Sequence, residues 1–169
     1  IPVAQEVAIL ASDFWNAQMF ASPTWATFIG DRRFDSELPD ISPQAISAYQ
    51  QKIRDFHERL QPLLSRLGDN KWAGEEWVTA KFLDVKLKDT LALRVCRGEL
   101  WEIDQLSGYQ VSMPELASYQ RIDSLKAASY YVTRLSKLGT LYQQLIDNLR
   151  RGLAEKYLAP RVVVERVIR

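Results

Sequence analysis

The segment Ser22-Pro23-Thr24-Trp25-Ala26-Thr27-Phe28-Ile29-Gly30-Asp31-Arg32-Arg33-Phe34-Asp35-Ser36-Glu37-Leu38-Pro39-Asp40-Ile41-Ser42-Pro43 decides the reading of the chain. Ser22 and Pro23 have the form of a helix start: a serine oxygen can hold an orphan N–H, and proline has none to lose at the first helical position. Gly30 closes that short helix, because glycine turns left-handed at no steric cost. Residues 31–41 read as a charged turn, and Ser42-Pro43 repeats the start. Two helix starts so close together, with no strand-like alternation between them, point to a tightly punctuated all-α chain.

The same periodicity extends in both directions. Val3, Val7, Leu10 and Phe14 make one stripe of a helix over about residues 3–20. After Pro43, Ile46, Tyr49, Ile53, Phe56, Leu60, Leu63, Leu64 and Leu67 make a second, stopped by Gly68-Asp69-Asn70, with a kink or break expected near 58–61 from Pro62. A third covers about 75–97 on Trp77, Ala80, Phe82, Leu83, Leu87, Leu91 and Val95. Residues 98–122 carry Gly98, Gly108 and Pro114 and read as an irregular loop with a helical turn at 113–118. Asp123 or Ser124 then caps a helix to about Leu138 on Leu125, Ala128, Val132, Leu135 and Leu138, and Gly139 stops it. Thr140 to Gln143 has the capping-box form and opens another on Leu141, Leu145, Leu149 and Leu153. The expected fold is an all-α, bundle-like array of six to seven helices forming one unit over residues 1–169.

Composition excludes several classes. With 22 basic and 21 acidic residues, the net charge of +1 gives no footprint for nucleic acid or an anionic membrane. No apolar run approaches the length of a spanning helix, and no signal peptide is visible at the N-terminus. Cys96, the only cysteine, cannot form an internal disulfide and reads as a small buried hydrophobe. The compartment stays unassigned. Pro160 and Arg161–Arg169 begin a last helix whose four valines and Ile168 need cover. The expectation is therefore an N-terminal fragment of a longer chain, with the downstream polypeptide as partner and self-association as a further outcome.

The candidate chemistry is sparse. His57-Glu58-Arg59-Leu60-Gln61 resembles a zincin helix, but Gln61 stands where the second histidine is needed and no other histidine exists. A hydrolytic zinc takes three protein ligands, so no metal or catalytic residue is assigned. No serine lies in Gly-x-Ser-x-Gly, and no glycine-rich phosphate loop occurs. Asp31 and Asp35, beside Arg32 and Arg33, read as helix caps or arginine partners; Glu99 and Glu102 bracket Trp101. Arg150, Arg151, Arg161, Arg166 and Arg169 read as a solvated basic face. The aromatic loop from Leu100 to Gln110 is the best candidate for a ligand-facing surface, with Trp101, Leu106 and Tyr109 as core cover the competing reading.

Three stretches together resemble the large bacterial family catalogued as domain of unknown function 885. They are Pro23-x-x-Ala26-Thr27-x-x-Gly30-Asp31 with Arg33-Phe34-Asp35, Leu38, Asp40 and Ser42; Trp101 through Gln105-x-x-Gly108; and Tyr131-x-x-Arg134-Leu135 through Gln144 and Leu149-Arg150-x-Gly152 to Pro160-Arg161-x-Val163-Val164. The resemblance implies a helical protein similar to zinc metallopeptidases, whose metal-binding helix lies C-terminal of the region represented here. It implies an N-terminal scaffold that walls a substrate cleft, with zinc and a peptide substrate belonging to the parent chain. Trp101, Gln105 and Gly108, with neighbouring Tyr109, are the candidate cleft-facing residues. The alternative is a non-catalytic helical module for protein interaction.

Overall fold

The computed structural model describes residues 2–69 and 74–168, and these are helical without a strand. The α-helices are α1 (Val3–Ala21), α2 (Pro23–Phe28), α3 (Pro43–Leu67), α4 (Gly74–Ala92), α5 (Tyr109–Tyr119), α6 (Leu125–Ser136), α7 (Leu138–Glu155) and α8 (Arg161–Ile168), with 3-10 turns at Arg32–Phe34, Leu93–Cys96 and Gly98–Leu100. Asn70 of the expected stop signal and Arg169 lie outside the described residues. Contacts divide the chain into two compact units, residues 1–18 with 44–96, and residues 19–43 with 97–169.

In the first unit, α1 contributes Val7, Leu10 and Phe14, α3 contributes Ile53, Phe56, Leu60 and Leu63, and α4 contributes Ala80, Leu83 and Leu87 to one buried cluster. The three- and four-residue spacings place each set on one helical face. Each buried large aliphatic or aromatic side chain stabilises the cluster by about 1.5–3 kcal/mol. Phe14 and Phe56 meet edge to face at 5.9 Å. Ion pairs at Glu6–Arg66 and Asp13–Arg59 rim the cluster, and the Tyr49 hydroxyl donates to Gln18 at 2.7 Å.

Three expectations change here. Pro62 does not break α3, which runs through it; the proline is exposed, so the Glu58 carbonyl it leaves unpaired faces water. Phe82 leaves the core stripe and is 72% exposed, forming a second, outward stripe of α4 with Val78 and Val85. Cys96 is exposed, not buried, because it falls in the 3-10 turn beyond the end of α4.

In the second unit, Met113, Leu116 and Leu141 are buried with Leu38, Ile41, Tyr109, Tyr119, Leu138 and Tyr142 packed against them. The turn expected at 113–118 belongs to the longer α5. Its first turn forms because the Gly108 carbonyl accepts from Val111 and Ser112, upstream of the proline that suggested a later start. Ser124 caps α6 as expected, accepting from the Ala127 N–H at 3.1 Å. The break between α6 and α7 falls at Lys137, and Gly139 lies within α7.

One face is inverted. The stripe Leu125, Val132 and Leu135, expected in the core, points outward: Leu125 is 93% and Val132 65% exposed. The inward face of α6 is Ala127 and Arg134. No residue of α8 is buried.

Candidate functional site

The second unit is organised around Arg134, whose side chain is fully buried. Its Nη1 donates to Gln120 Oε1 at 2.8 Å, and its Nη2 donates to the Thr27 hydroxyl at 2.8 Å and to the carbonyls of Pro23 and Phe34. Nε is buried without a hydrogen-bond partner. Thr27 Oγ1 lies 2.8 Å from Asp35 Oδ1 and 3.1 Å from the Pro23 carbonyl. Its single proton goes to the carboxylate, the closer and charged acceptor. The hydroxyl thus stands between a buried guanidinium and a buried carboxylate. Gln120 completes the ring by donating to the Asp35 carbonyl at 2.8 Å. Burial pushes the Arg134 guanidinium below its usual range, and the nearby Asp35 charge opposes that shift.

Around this centre the charges pair off. Arg32 holds Asp123 with both terminal nitrogens and reaches Asp35 at 3.3 Å. Asp31 caps the 3-10 turn through the Arg33 N–H and pairs with the Arg33 guanidinium at 2.7 Å. That bond holds the Asp31 carboxyl below the usual range. Asp31 and Asp35 are therefore a cap and an arginine partner, not an acid/base pair. An open depression of about 460 Å³ lies here, lined by Arg32, Arg33, Asp35, Asp123, Ser124, Lys126, Ala127 and Tyr130. Its lining carries three cations against two carboxylates, and two of those cations are already engaged, Arg32 by Asp123 and Arg33 by Asp31.

A second clamp ties α7 to the turn before α3. The Gln144 amide accepts from the Ile41 N–H at 3.1 Å and donates to Asp40 at 3.0 Å, and Asn148 donates to the Ile41 carbonyl at 2.7 Å. One turn further on, Gly152 meets the 3-10 turn at Leu100: a β-carbon there would sit 1.9 Å from the Leu100 carbonyl oxygen. Arg97, in the left-handed region at φ 44°, pairs with Glu155 and stacks over Tyr157 at 5.1 Å.

The expected ligand-facing loop follows directly. Asp104 closes it: Oδ1 accepts from the N–H groups of Leu106 and Ser107, and Oδ2 from the Ser107 hydroxyl. The Leu106 N–H, then that of Ser107, holds this carboxyl below its usual range. It is a turn former, not a base poised near neutral pH. Gly108 is required by close approach, since a β-carbon would stand 2.5 Å from the Asp104 carbonyl.

A depression of about 410 Å³ opens on this loop, lined by Gly98, Glu99, Trp101, Glu102, Ile103, Asp104, Ser107 and Gly108. Trp101 and Gly108 thus come together. Gln105 and Tyr109 do not line it. Gln105 holds its Oε1 buried without a partner, and Tyr109 packs in the cluster around Met113. Burial, then the Glu99 charge, pushes the Glu102 carboxyl up. Burial, then Glu102, pushes the Tyr109 phenol up.

His57 Nε2 lies 3.6 Å from Asp84, whose other oxygen is held by Lys88 at 2.6 Å. Among the described residues no group of three His, Cys, Asp or Glu side chains is placed to hold a metal ion. The residues present do not fit a three-ligand zinc site. No helix among them is long and apolar enough to cross a membrane.

The sequence reading missed Arg134 as a centre. It lies off the apolar stripe of α6, so periodicity gave no reason to place it inside.

Comparison with known protein families agrees with the resemblance. The family model described as bacterial protein of unknown function (DUF885) matches residues 23–169. The chain belongs to that family. The match begins at Pro23, whose carbonyl Arg134 engages, and it includes both clamps and the Trp101 loop. No curated protein and no solved structure is significantly similar to this DUF885 chain.

Proposed function

We propose that this chain is a helical scaffold, the cleft-wall part of a zinc-dependent, peptidase-like hydrolase, and that it supplies no catalytic side chain. The observation that carries the reading is where the resemblance-bearing residues spend their polar groups. Arg134 holds Pro23, Thr27 and Phe34; Gln144 holds Asp40 and Ile41; Gly152 admits the Leu100 carbonyl. Groups held by backbone and by each other inside the unit shape a wall and do not reach a substrate. The Trp101 depression is the part of the wall that meets ligand, with Trp101 and Gly108 at its surface and Gln105 and Tyr109 behind. Metal ligands for the hydrolase belong to other residues of the parent chain.

Calorimetric titration of the chain with zinc tests this. The expected result is no tight stoichiometric binding and no peptide hydrolysis. One equivalent bound tightly and lost on His57→Ala overturns it. A second reading, a non-catalytic interaction module, is favoured by the outward apolar stripes of α4 and α6. The two separate in the parent chain: Trp101→Ala lowers turnover under the first reading and leaves it unchanged under the second.

A further inference from the structure

The outward face of α6 is only partly covered by its own unit: Leu125 is 93% and Val132 65% exposed, while Leu135 and Ala128 are partly covered. We infer that it is a self-pairing surface, on which α6 of a second copy of this chain lies antiparallel. Leu125, Ala128, Val132 and Leu135 follow one another at intervals of three, four and three, an a/d seam of two heptads. Such a seam reads the same from either end. A two-fold axis at residue 130 sets Leu125 of one copy against Leu135 of the other, and Ala128 against Val132.

The flanks select a second copy over a charged partner. Under a two-fold axis each flanking residue faces the same flank of its mate, so a charged flank repels itself. In α6 the positions beside the seam are Ser124, Ser129, Tyr131 and Ser136, all uncharged. The outward stripe of α4 fails this condition, because Lys81 flanks Phe82 and would meet its own copy near the axis. Ala128 and Ser129 are small enough to let two helices approach closely.

The interface is one helix pair, so association belongs to the weak end of protein contacts. Sedimentation equilibrium of the full chain across a rising concentration series is expected to show monomer passing to dimer. Leu125→Glu should abolish the dimer, halving the mass reached at high concentration. It replaces a 93% exposed side chain in the first turn of α6, where an acidic group favours the helix, so folding by circular dichroism is retained. Phe82→Glu on α4 should leave the dimer intact. Ser129→Cys in a Cys96→Ser background should oxidise to a covalent dimer, since the two Ser129 residues lie on one side of the axis. A wild-type monomer throughout, a dimer that survives Leu125→Glu, or failure of Ser129→Cys to cross-link overturns the proposal.

Discussion

Arg134 Nη2 and the Thr27 hydroxyl meet at 2.8 Å across 107 positions of sequence, and through that hydroxyl a buried cation reaches the buried carboxylate of Asp35. A bare guanidinium in a protein interior is costly; this one is tolerated because carbonyls, an amide and a hydroxyl replace its water. Arg134→Met removes the donor but leaves Gln120, the Phe34 carbonyl and Asp35 in place. Removing one partner of a buried charged network costs about 3–5 kcal/mol. Urea denaturation of the variant should show a loss of that size. Arg134→Lys should not restore it, since one ammonium cannot span acceptors on α2, the 3-10 turn and Gln120.

Two glycines of α7 should respond in opposite directions. Gly152→Ala puts a methyl into the Leu100 carbonyl, where backbone must move to admit it. Overpacking of that kind costs about 1–3 kcal/mol. Gly139 has nothing within 4 Å of its would-be β-carbon. Gly139→Ala should therefore gain up to about 1 kcal/mol from helix propensity alone. Thermal melts of the pair check both signs.

The sequence made the helices legible and two of their faces illegible. α1, α3 and the start of α2 at Pro23 follow from periodicity and from proline at a first helical turn, although the Ser22 side chain makes no capping hydrogen bond. α6 and α4 defeat the same logic: Leu125, Val132 and Phe82 stand at helical spacing but point outward. Periodicity reports that a helix has an apolar side, not that this side is buried within the same unit. Trp101 stood out in the aromatic loop and Gly108 through the family resemblance, and the structure brings them to one depression. Arg134 could not be found that way, because its partners are backbone carbonyls, an amide and an alcohol, none of which marks itself in a sequence as the neighbour of an arginine.

Acid should weaken the second unit through a defined pair. Lys137 donates to Glu37 at 2.6 Å and, as the largest cause, holds its carboxyl below the ordinary 4.5. A depressed folded value means the pair stabilises the fold above the unfolded value and is lost as pH falls through the folded one. Both side chains are more than a third exposed, so the contribution is about 0–1 kcal/mol and shrinks in salt. Lys137→Met should lower stability by that amount near neutral pH and by nothing once Glu37 is protonated. Melts at several pH values read the difference.

Glu102 should behave with the opposite sign. Burial and the Glu99 charge raise its folded value above the ordinary 4.5. Below the unfolded value the carboxyl is neutral in both states and costs the fold nothing. As pH rises from there through the folded value, the unfolded chain ionises first, and stability falls until both states are charged. Glu102→Gln removes the ionisation and keeps the shape. Its melting temperature should exceed that of the wild type near neutral pH, and the two should converge at a pH below the ordinary carboxyl value. Glu99→Gln should give a smaller gain over the same window, since it removes only the second cause. A pH-independent difference for Glu102→Gln would mean that packing of the amide, not the charge, decides the stability of the Trp101 loop.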